Sequence, residues 1–218
     1  IRATGHAGAF ALLERGQLSE AEFCTRFERE CATHAATHVA HRGAARLVSG
    51  RRFLDCVLSV AANPPRPHYL ALVRTLKRMG LLVGVITNNW SLAAPSTGVG
   101  TGEPEEALAM DALSQRAMDA MRELRKHFDV VVESYRVRAR KPERRIYELA
   151  TSQLQVRPEE CVFLDDLGSN LKAARAYGMH TIQVRPDVPF ASILSDLEYY
   201  LRTEIPMDEA VAPISSKL

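Results

Sequence analysis

Two adjacent carboxylates close one of the apolar runs in this sequence. The run Val162–Leu164 leads directly into Asp165 and Asp166. Carboxylates that gather at the end of a buried strand repel each other and lose hydration, unless a cation or hydrogen-bond donors compensate. Mg²⁺ commonly takes one or two protein carboxylates and completes its coordination with water and phosphate oxygens. The pair therefore indicates a magnesium site, while an ordinary turn of Asp and Gly residues is the alternative.

Strand geometry gives the two aspartates different surroundings. Neighbouring side chains of a strand point to opposite faces of the sheet. We therefore expect one member of the pair to bind a metal ion, and the other to support that site from outside the coordination sphere.

Thr87, Asn88 and Lys141 have the chemistry to bind a phosphoryl group. Thr87 and Asn88 belong to the end of the apolar run 81–89, where a hydroxyl, an amide and backbone N–H groups can donate to phosphate oxygens. Lys141 precedes Pro142 at the start of a predicted helix, where a positive charge is locally unfavourable and indicates an anionic partner. The alternatives are an ordinary strand-to-loop transition for the first two residues and a solvated surface lysine for the third.

Strands that alternate with helices are the elements that would position these residues. The apolar runs predicted to be strands lie at 81–89, 129–134, 161–166 and 180–184. Amphipathic segments between them are typical of helices, so the sequence predicts an α/β fold with a Rossmann-like parallel sheet covered on both faces. Ligands bind to such sheets beyond the carboxyl ends of the strands, where the candidate residues lie.

The first third of the chain has a helical pattern of its own. Ser19 and Glu22 form a capping-box pattern, and Phe23 and Phe27 recur at helical spacing. The segment NPPRP then breaks the pattern. We predict a helical cap lobe at residues 1–65, an α/β core at 66–204 and a flexible tail at 205–218.

Bulk composition argues against several classes of protein. The chain has 218 residues, a net charge of +2 and 46% hydrophobic residues, a balance that indicates neither nucleic-acid binding nor disorder. No apolar run approaches the roughly 18 residues of a membrane span, so we expect no membrane partner. The four cysteines form no C-x-x-C pair, which argues against a zinc site and favours reduced thiols.

The last three residues predict a cellular address. The sequence ends Ser216–Lys217–Leu218, which is a peroxisomal signal when it stands at a carboxyl terminus. We therefore expect a peroxisomal import receptor as a partner and peroxisomal localisation, with the cytoplasm as the alternative.

The order of the candidate residues along the chain resembles one enzyme superfamily. Thr-Asn at one strand end, Lys-Pro before a helix and Asp-Asp at the next strand end resemble motifs two, three and four of the haloacid dehalogenase-like hydrolases. Receiver domains of two-component signalling also combine paired acids, Thr and Lys, but there the acids come first. The stretches ITNNW, HFDVVVES, KPERRIY and VFLDDLGSNLKAARAYGMHTIQV are similar to two groups within the superfamily. These are the amino-terminal phosphatase domain of soluble epoxide hydrolase and the hydrolase domain of acyl-CoA dehydrogenase family members 10 and 11.

This resemblance implies a role for each candidate residue. Asp166 would be a Mg²⁺ ligand, and Asp165 its supporting neighbour in the catalytic site. Thr87 and Asn88 would bind the transferring phosphoryl group, and Lys141 would neutralise charge on the nucleophile and the phosphate. The implied activity is a Mg²⁺-dependent phosphatase that acts on small or lipid phosphates through an aspartyl-phosphate.

The nucleophile of that mechanism is missing from the sequence. Superfamily phosphatases carry it in an Asp-x-Asp motif at the end of the first strand, yet no two of the nine aspartates here are separated by one residue. Asp55 follows an apolar lead-in, but Val57 stands where the second Asp should be. We therefore expect an amino-terminally incomplete chain that lacks the first strand and phosphatase activity. The alternatives are a non-catalytic binding or regulatory module and a truncated product without function.

Overall fold

In the described part of the chain, four helices come first, and four short strands then alternate with further helices. The computed structural model describes residues 5–37, 49–92 and 104–207. The helices are α1 (Ala9–Glu14), α2 (Glu20–Thr37), α3 (Gly50–Ala61), α4 (Pro67–Arg78), α5 (Pro104–Arg125), α6 (Ser134–Val137), α7 (Arg144–Leu154), α8 (Gly168–Tyr177) and α9 (Phe190–Leu201). The strands are β1 (Gly84–Thr87), β2 (Val130–Glu133), β3 (Val162–Asp165) and β4 (His180–Gln183). Each strand lies within one of the apolar runs, which confirms the prediction of a mixed α/β fold.

The four strands form two pairs within the described part of the chain. One sheet contains β1 and β2, and the other contains β3 and β4. β3 and β4 run parallel, with Val162 opposite His180 and Asp165 opposite Gln183. Parallel neighbours need a crossover, which α8 supplies, and the left-handed backbone of Gly178 ends that helix before β4 begins.

Helix α7 begins later than its sequence suggests. Its first residue is Arg144, and Glu143 before it keeps an extended backbone as the N-cap. Lys141 therefore lies in the turn that precedes the helix and not at its first position. A residue before proline is disfavoured in the helical conformation, which explains why Lys141 itself stays outside α7.

Residue contacts divide the chain into two compact units. The first consists of Ile1–Pro64, Asn88–Lys126 and Glu133–Arg138, and the second of Pro65–Thr87, His127–Val132 and Ala139–Leu218. The predicted division into a cap lobe, a core and a tail remains a prediction. Residues 208–218, with the predicted peroxisomal signal, lie outside the described residues.

The first unit has an aromatic core. Phe23 and Phe27 of α2 stack with ring centroids 5.1 Å apart, and Trp90 joins the same cluster of buried side chains. The predicted capping box is confirmed at the start of α2, because Ser19 N–H donates to Glu22 Oε2 at 2.8 Å and Glu22 N–H donates to Ser19 Oγ at 3.3 Å.

The second unit contains β3, β4 and the helices that cover them. Its apolar cluster includes Leu72 of α4, Ile182 of β4 and Ile193 of α9, all buried. Helix α7 packs close to β1, since a Cβ added at Gly84 would lie 3.1 Å from Leu154 Cδ1. Among the described residues, none of the helices combines the length and apolar character needed to cross a membrane.

Candidate functional site

A buried ion pair joins two of the predicted site residues. Lys141 Nζ donates to Asp165 Oδ2 at 2.8 Å, and the side chains are 15% and 4% exposed. Asp165 is the last residue of β3, and Lys141 lies in the turn before α7. Because a buried charge is costly without a partner, each of these two charges holds the other in place.

The second carboxylate oxygen of Asp165 is held by the start of α8. Asp165 Oδ1 accepts from the Leu167 N–H and from Asn170 Nδ2, both at 2.9 Å. A negative charge at the amino terminus of a helix is also favoured by the helix dipole. With Lys141 on one oxygen and two donors on the other, Asp165 has a fixed orientation.

Asp166 lies in a different environment from its neighbour. Its side chain is exposed, whereas Asp165 is buried. This is the contrast that strand alternation predicts for adjacent residues at a strand end. Asp166 is therefore the member of the pair that a cation in solvent can reach.

Asn170 and Tyr147 belong to the same contact network, and neither was predicted from the sequence. The Tyr147 hydroxyl donates to the backbone carbonyl of Asn170 at 2.9 Å, and the Tyr147 side chain is fully buried. Burial, together with the nearby negative charge of Asp165, raises the pKa of Tyr147. The sequence contains one signal for Asn170. It lies four residues after Asp166, in the first turn of the following helix, where Asn side chains often form hydrogen bonds with nearby polar groups.

Phe163 covers the apolar side of the ion pair. Its ring meets the Tyr147 ring edge to face, with centroids 5.4 Å apart. Lys141 Nζ lies 5.7 Å from the centroid of the same ring, within the range of a cation–π contact. The ammonium group is thus placed by a carboxylate and by an aromatic face.

Thr87 and Asn88 lie where the first sheet ends. Thr87 is the last residue of β1 and belongs to the unit that contains Lys141 and Asp165, whereas Asn88 is assigned to the other unit. Both side chains are half-buried. The structure thus brings Lys141 and Asp165 together, and the phosphoryl-binding role of Thr87 and Asn88 remains a prediction.

The carboxylates of this site fit a magnesium ion held by few protein ligands. Among the described residues, no three or more His, Cys, Asp or Glu side chains group as a metal site. Mg²⁺ often uses only one or two carboxylates and keeps several waters. An exposed Asp166 next to a hydrogen-bonded Asp165 is compatible with that requirement, and the role of Asp166 as a Mg²⁺ ligand remains a prediction.

Comparison with known proteins defines the class to which the chain belongs. Residues 13–178 match the family of haloacid dehalogenase-like hydrolases. The chain therefore belongs to this family, as the order of its motifs predicts.

Particular relatives agree with the predicted resemblance. The chain is 32% identical over 203 residues to acyl-CoA dehydrogenase family member 10 of Mus musculus, a match covering 93% of this chain and 16% of that protein. It is 37% identical over 156 residues to bifunctional epoxide hydrolase 2 of Rattus norvegicus, covering 72% of this chain and 24% of that protein. The chain thus spans about a quarter or less of the length of these two relatives.

A shorter relative and a solved structure complete the comparison. Fructose-1-phosphate phosphatase YqaB of Escherichia coli (strain K12) is 32% identical over 142 residues, covering 62% of this chain and 71% of that protein. An enzyme of the same family from Bacteroides thetaiotaomicron, solved with magnesium and inorganic phosphate, aligns with a TM-score of 0.52 at 17% identity. That alignment covers 88% of this chain and 82% of the other, and it shows a shared fold.

Proposed function

We propose that this chain is the phosphate- and Mg²⁺-binding part of a phosphatase that acts on small or lipid phosphates. The observation that carries the proposal is the buried Lys141–Asp165 pair beside an exposed Asp166, at the carboxyl end of β3. A fixed ammonium group at Lys141 and a solvent-exposed carboxylate at Asp166 are the two kinds of charge that suit a phosphoryl group bridged to a divalent cation. The phosphatase relative and the magnesium and phosphate complex of the structural relative support this reading.

Each residue has a role that follows from its chemistry. Thr87 and Asn88 donate hydrogen bonds to the phosphoryl oxygens, and Lys141 neutralises charge that develops on them. Asp166 holds Mg²⁺, which supplies further positive charge to the phosphoryl oxygens when it is bound. Asp165 does not act as a base, because its oxygens already accept hydrogen bonds from Lys141 and from the start of α8.

The chemical step needs a nucleophile that this sequence does not contain. In the proposed reaction an aspartate oxygen attacks phosphorus, the alcohol leaves with a proton, and water later hydrolyses the aspartyl-phosphate. No Asp-x-Asp motif occurs in the sequence. We therefore infer that the chain by itself binds phosphate but has negligible turnover, and that a further strand carries the nucleophile in a complete enzyme.

The sheet supports the idea of a further strand. β1 pairs only with β2, and β3 only with β4, within the part of the chain that the structure describes. The apolar residues Val85, Ile86, Phe163 and Leu164 are half-buried. One edge of β1 and one edge of β3 lack a strand partner among the described residues, and a further strand between them would pair the backbone groups of those edges. In this proposal helices α1–α3 belong to the cap lobe of residues 1–65, and residues 66–204 form the core.

A non-catalytic binding or regulatory module is the second candidate. The absence of an Asp-x-Asp motif favours it. This candidate shares the phosphate site with the first one. It differs in its prediction for a longer form of the protein, which would also have no turnover. The two are separated by an assay of a longer form with its preceding sequence.

Titration with inorganic phosphate in the presence and absence of Mg²⁺ tests the proposed site. We expect binding that Mg²⁺ strengthens, and we expect Asp166→Asn to remove that strengthening because a neutral amide is a poorer ligand. Asp187→Asn is the matched control, since Asp187 is an exposed carboxylate paired with Arg185. Isothermal titration calorimetry measures the affinity, and p-nitrophenyl phosphate measures turnover.

Three outcomes would contradict the proposal. Lack of phosphate binding by the unaltered chain would remove the site, as would an equal response of the Asp166 and Asp187 variants to Mg²⁺. Mg²⁺-dependent turnover of p-nitrophenyl phosphate by the chain as given would show that its nucleophile lies elsewhere in this sequence.

A further inference from the structure

The residue after Asn88 is fixed at three of its atoms. Asn89 N–H donates to Ser134 Oγ at 2.9 Å, and the same hydroxyl donates to the Asn89 carbonyl at 2.9 Å. Asn89 Nδ2 donates to Glu133 Oε1 at 3.0 Å. We call Glu133 and Ser134 the β2-end clamp, because Glu133 ends β2 and Ser134 begins α6.

The clamp is itself buried and immobilised. Ser134 is 0% exposed and Glu133 is 4% exposed. Glu133 Oε2 is paired with Arg125 of α5, and with Arg136 Nε at 2.7 Å. Two guanidinium groups compensate the buried carboxylate, which leaves its other oxygen available as a fixed acceptor for Asn89.

The chain is anchored again one residue later. Trp90 Nε1 donates to Glu20 Oε1 at 3.0 Å, and the Trp90 ring lies edge to face with Phe10, with centroids 6.2 Å apart. Trp90 is 7% exposed within the aromatic core of the first unit. The backbone that follows Asn88 therefore has little freedom to shift.

Asn88 is held from both sides as a result. On one side Thr87 ends β1, which pairs with β2, and on the other side Asn89 is held by the clamp that follows β2. We propose that Glu133 and Ser134 are positioning residues for Asn88, fixing the turn in which it binds phosphate. This inference rests on the proposed function, because it assumes that Asn88 binds a phosphoryl group.

A geometric role suits these two residues better than a purely stabilising one. A buried ion pair often contributes no more stability than apolar side chains of similar volume would. We therefore attribute to Glu133 a role in setting the distance and the orientation of Asn89. The Ser134 hydroxyl uses its donor and one acceptor site on the N–H and carbonyl of a single residue. Such a paired contact fixes the orientation of Asn89 as well as its distance, and hence the direction in which Asn88 leaves the strand.

Removal of the Ser134 hydroxyl tests the inference. In Ser134→Ala we expect affinity for inorganic phosphate with Mg²⁺ to fall about tenfold, because two hydrogen bonds that orient the turn are lost. The amide of Asn89 should also exchange with solvent faster in NMR experiments, since its acceptor is gone. Asn89→Ala loses only the bond to Glu133, so we expect a smaller loss of phosphate affinity, of about threefold.

Ser59→Ala is the matched control. Ser59 is an exposed residue of α3 whose hydroxyl donates to the Cys56 carbonyl at 2.8 Å, so the change removes one hydroxyl from the same unit. We expect its phosphate affinity and its Asn89 exchange rate to equal those of the unaltered chain. All affinities are measured well below the unfolding temperature of each variant, so that loss of stability alone does not weaken binding.

The outcomes separate the inference from the function on which it rests. Unchanged phosphate affinity in Ser134→Ala, with normal binding by the unaltered chain, would overturn the inference alone, even if Asn89 exchanges faster. An unchanged exchange rate of the Asn89 amide would also overturn it, because the clamp would then not hold the turn. Absence of phosphate binding by the unaltered chain would overturn the proposed function and the inference with it.

Discussion

At the scale of single residues, the contacts of Asp165 distinguish the two adjacent aspartates. Lys141 holds one Asp165 oxygen, while Leu167 and Asn170 hold the other. Asp165 is therefore a buried anchor between β3 and the turn before α7. Asp166, in contrast, is exposed, so water can hydrate its carboxylate and no buried partner is required.

The Lys141–Asp165 pair leads to a stability prediction. In Lys141→Ala the Asp165 carboxylate stays buried without its cation, so we expect the free energy of unfolding to fall by about 3–5 kcal/mol. Lys77→Ala is the control, because Lys77 and Asp129 form a pair of the same 2.8 Å length with side chains 36% and 28% exposed. That loss should be about 1 kcal/mol or less. Urea denaturation measures both, and equal losses would contradict the prediction.

Tyr147 leads to a prediction about alkaline pH. Burial raises its pKa in the folded state, whereas an unfolded tyrosine ionises near pH 10. The folded state therefore holds a proton that the unfolded state releases, so this part of the stability is complete below about pH 10 and is lost as pH rises further. We expect Tyr147→Phe to show a smaller decline in stability above about pH 10 than the unaltered chain.

Tyr199→Phe is the control for that experiment. Tyr199 is 78% exposed, so its loss should leave the alkaline decline as it is in the unaltered chain. Urea denaturation at a series of pH values provides the measurement. A decline of the same steepness in Tyr147→Phe and in the unaltered chain would refute the prediction.

At the scale of elements, the end of α1 shows how one helix is fitted against another segment. Gly16 follows α1 with φ +64°, and a Cβ added there would lie 2.7 Å from the backbone carbonyl oxygen of Tyr135 in α6. Only glycine provides both the left-handed backbone and the room for that carbonyl. Gly16 therefore fixes the approach of α1 to the segment that contains the β2-end clamp.

This close approach predicts different costs at two glycines. In Gly16→Ala the free energy of unfolding should fall by more than the roughly 1–2 kcal/mol that a left-handed backbone costs an alanine. The additional loss arises because the backbone at Tyr135 must also move. Gly80→Ala is the control, since Gly80 has φ +82° and open space around its added Cβ. Its free energy of unfolding should fall only by the cost of the backbone conformation. Denaturation curves of both variants test this, and the prediction fails if Gly80→Ala is the more destabilised.

At the scale of the whole molecule, local patterns in the sequence predicted strands and helix caps well, and contacts between distant residues poorly. The apolar runs predicted all four strands, because a strand buried on both faces needs consecutive apolar residues. The Ser19–Glu22 capping box was predictable for the same local reason. The start of α7 was predicted too early, since the sequence does not show that Glu143 stays extended.

Contacts between residues far apart in the sequence account for the features that were not predicted. Adjacent carboxylates and a lysine before proline identified Asp165 and Lys141 as candidates, but their 24-residue separation hides the ion pair. In the sequence, Glu133 and Ser134 are the polar end of a predicted strand. Their contact with Asn89 spans more than 40 residues, so the local pattern does not show it. Nothing in the local pattern distinguishes a residue that holds a distant turn from one that faces solvent.

Trp90 makes the turn beside Asn88 observable by spectroscopy. It is the only tryptophan in the sequence, so the intrinsic tryptophan fluorescence of the chain arises from one indole. That indole is hydrogen-bonded to Glu20 and lies two residues from Asn88. Its emission wavelength and its quenching by solutes therefore report on this turn, without an attached dye and without signals from elsewhere in the protein.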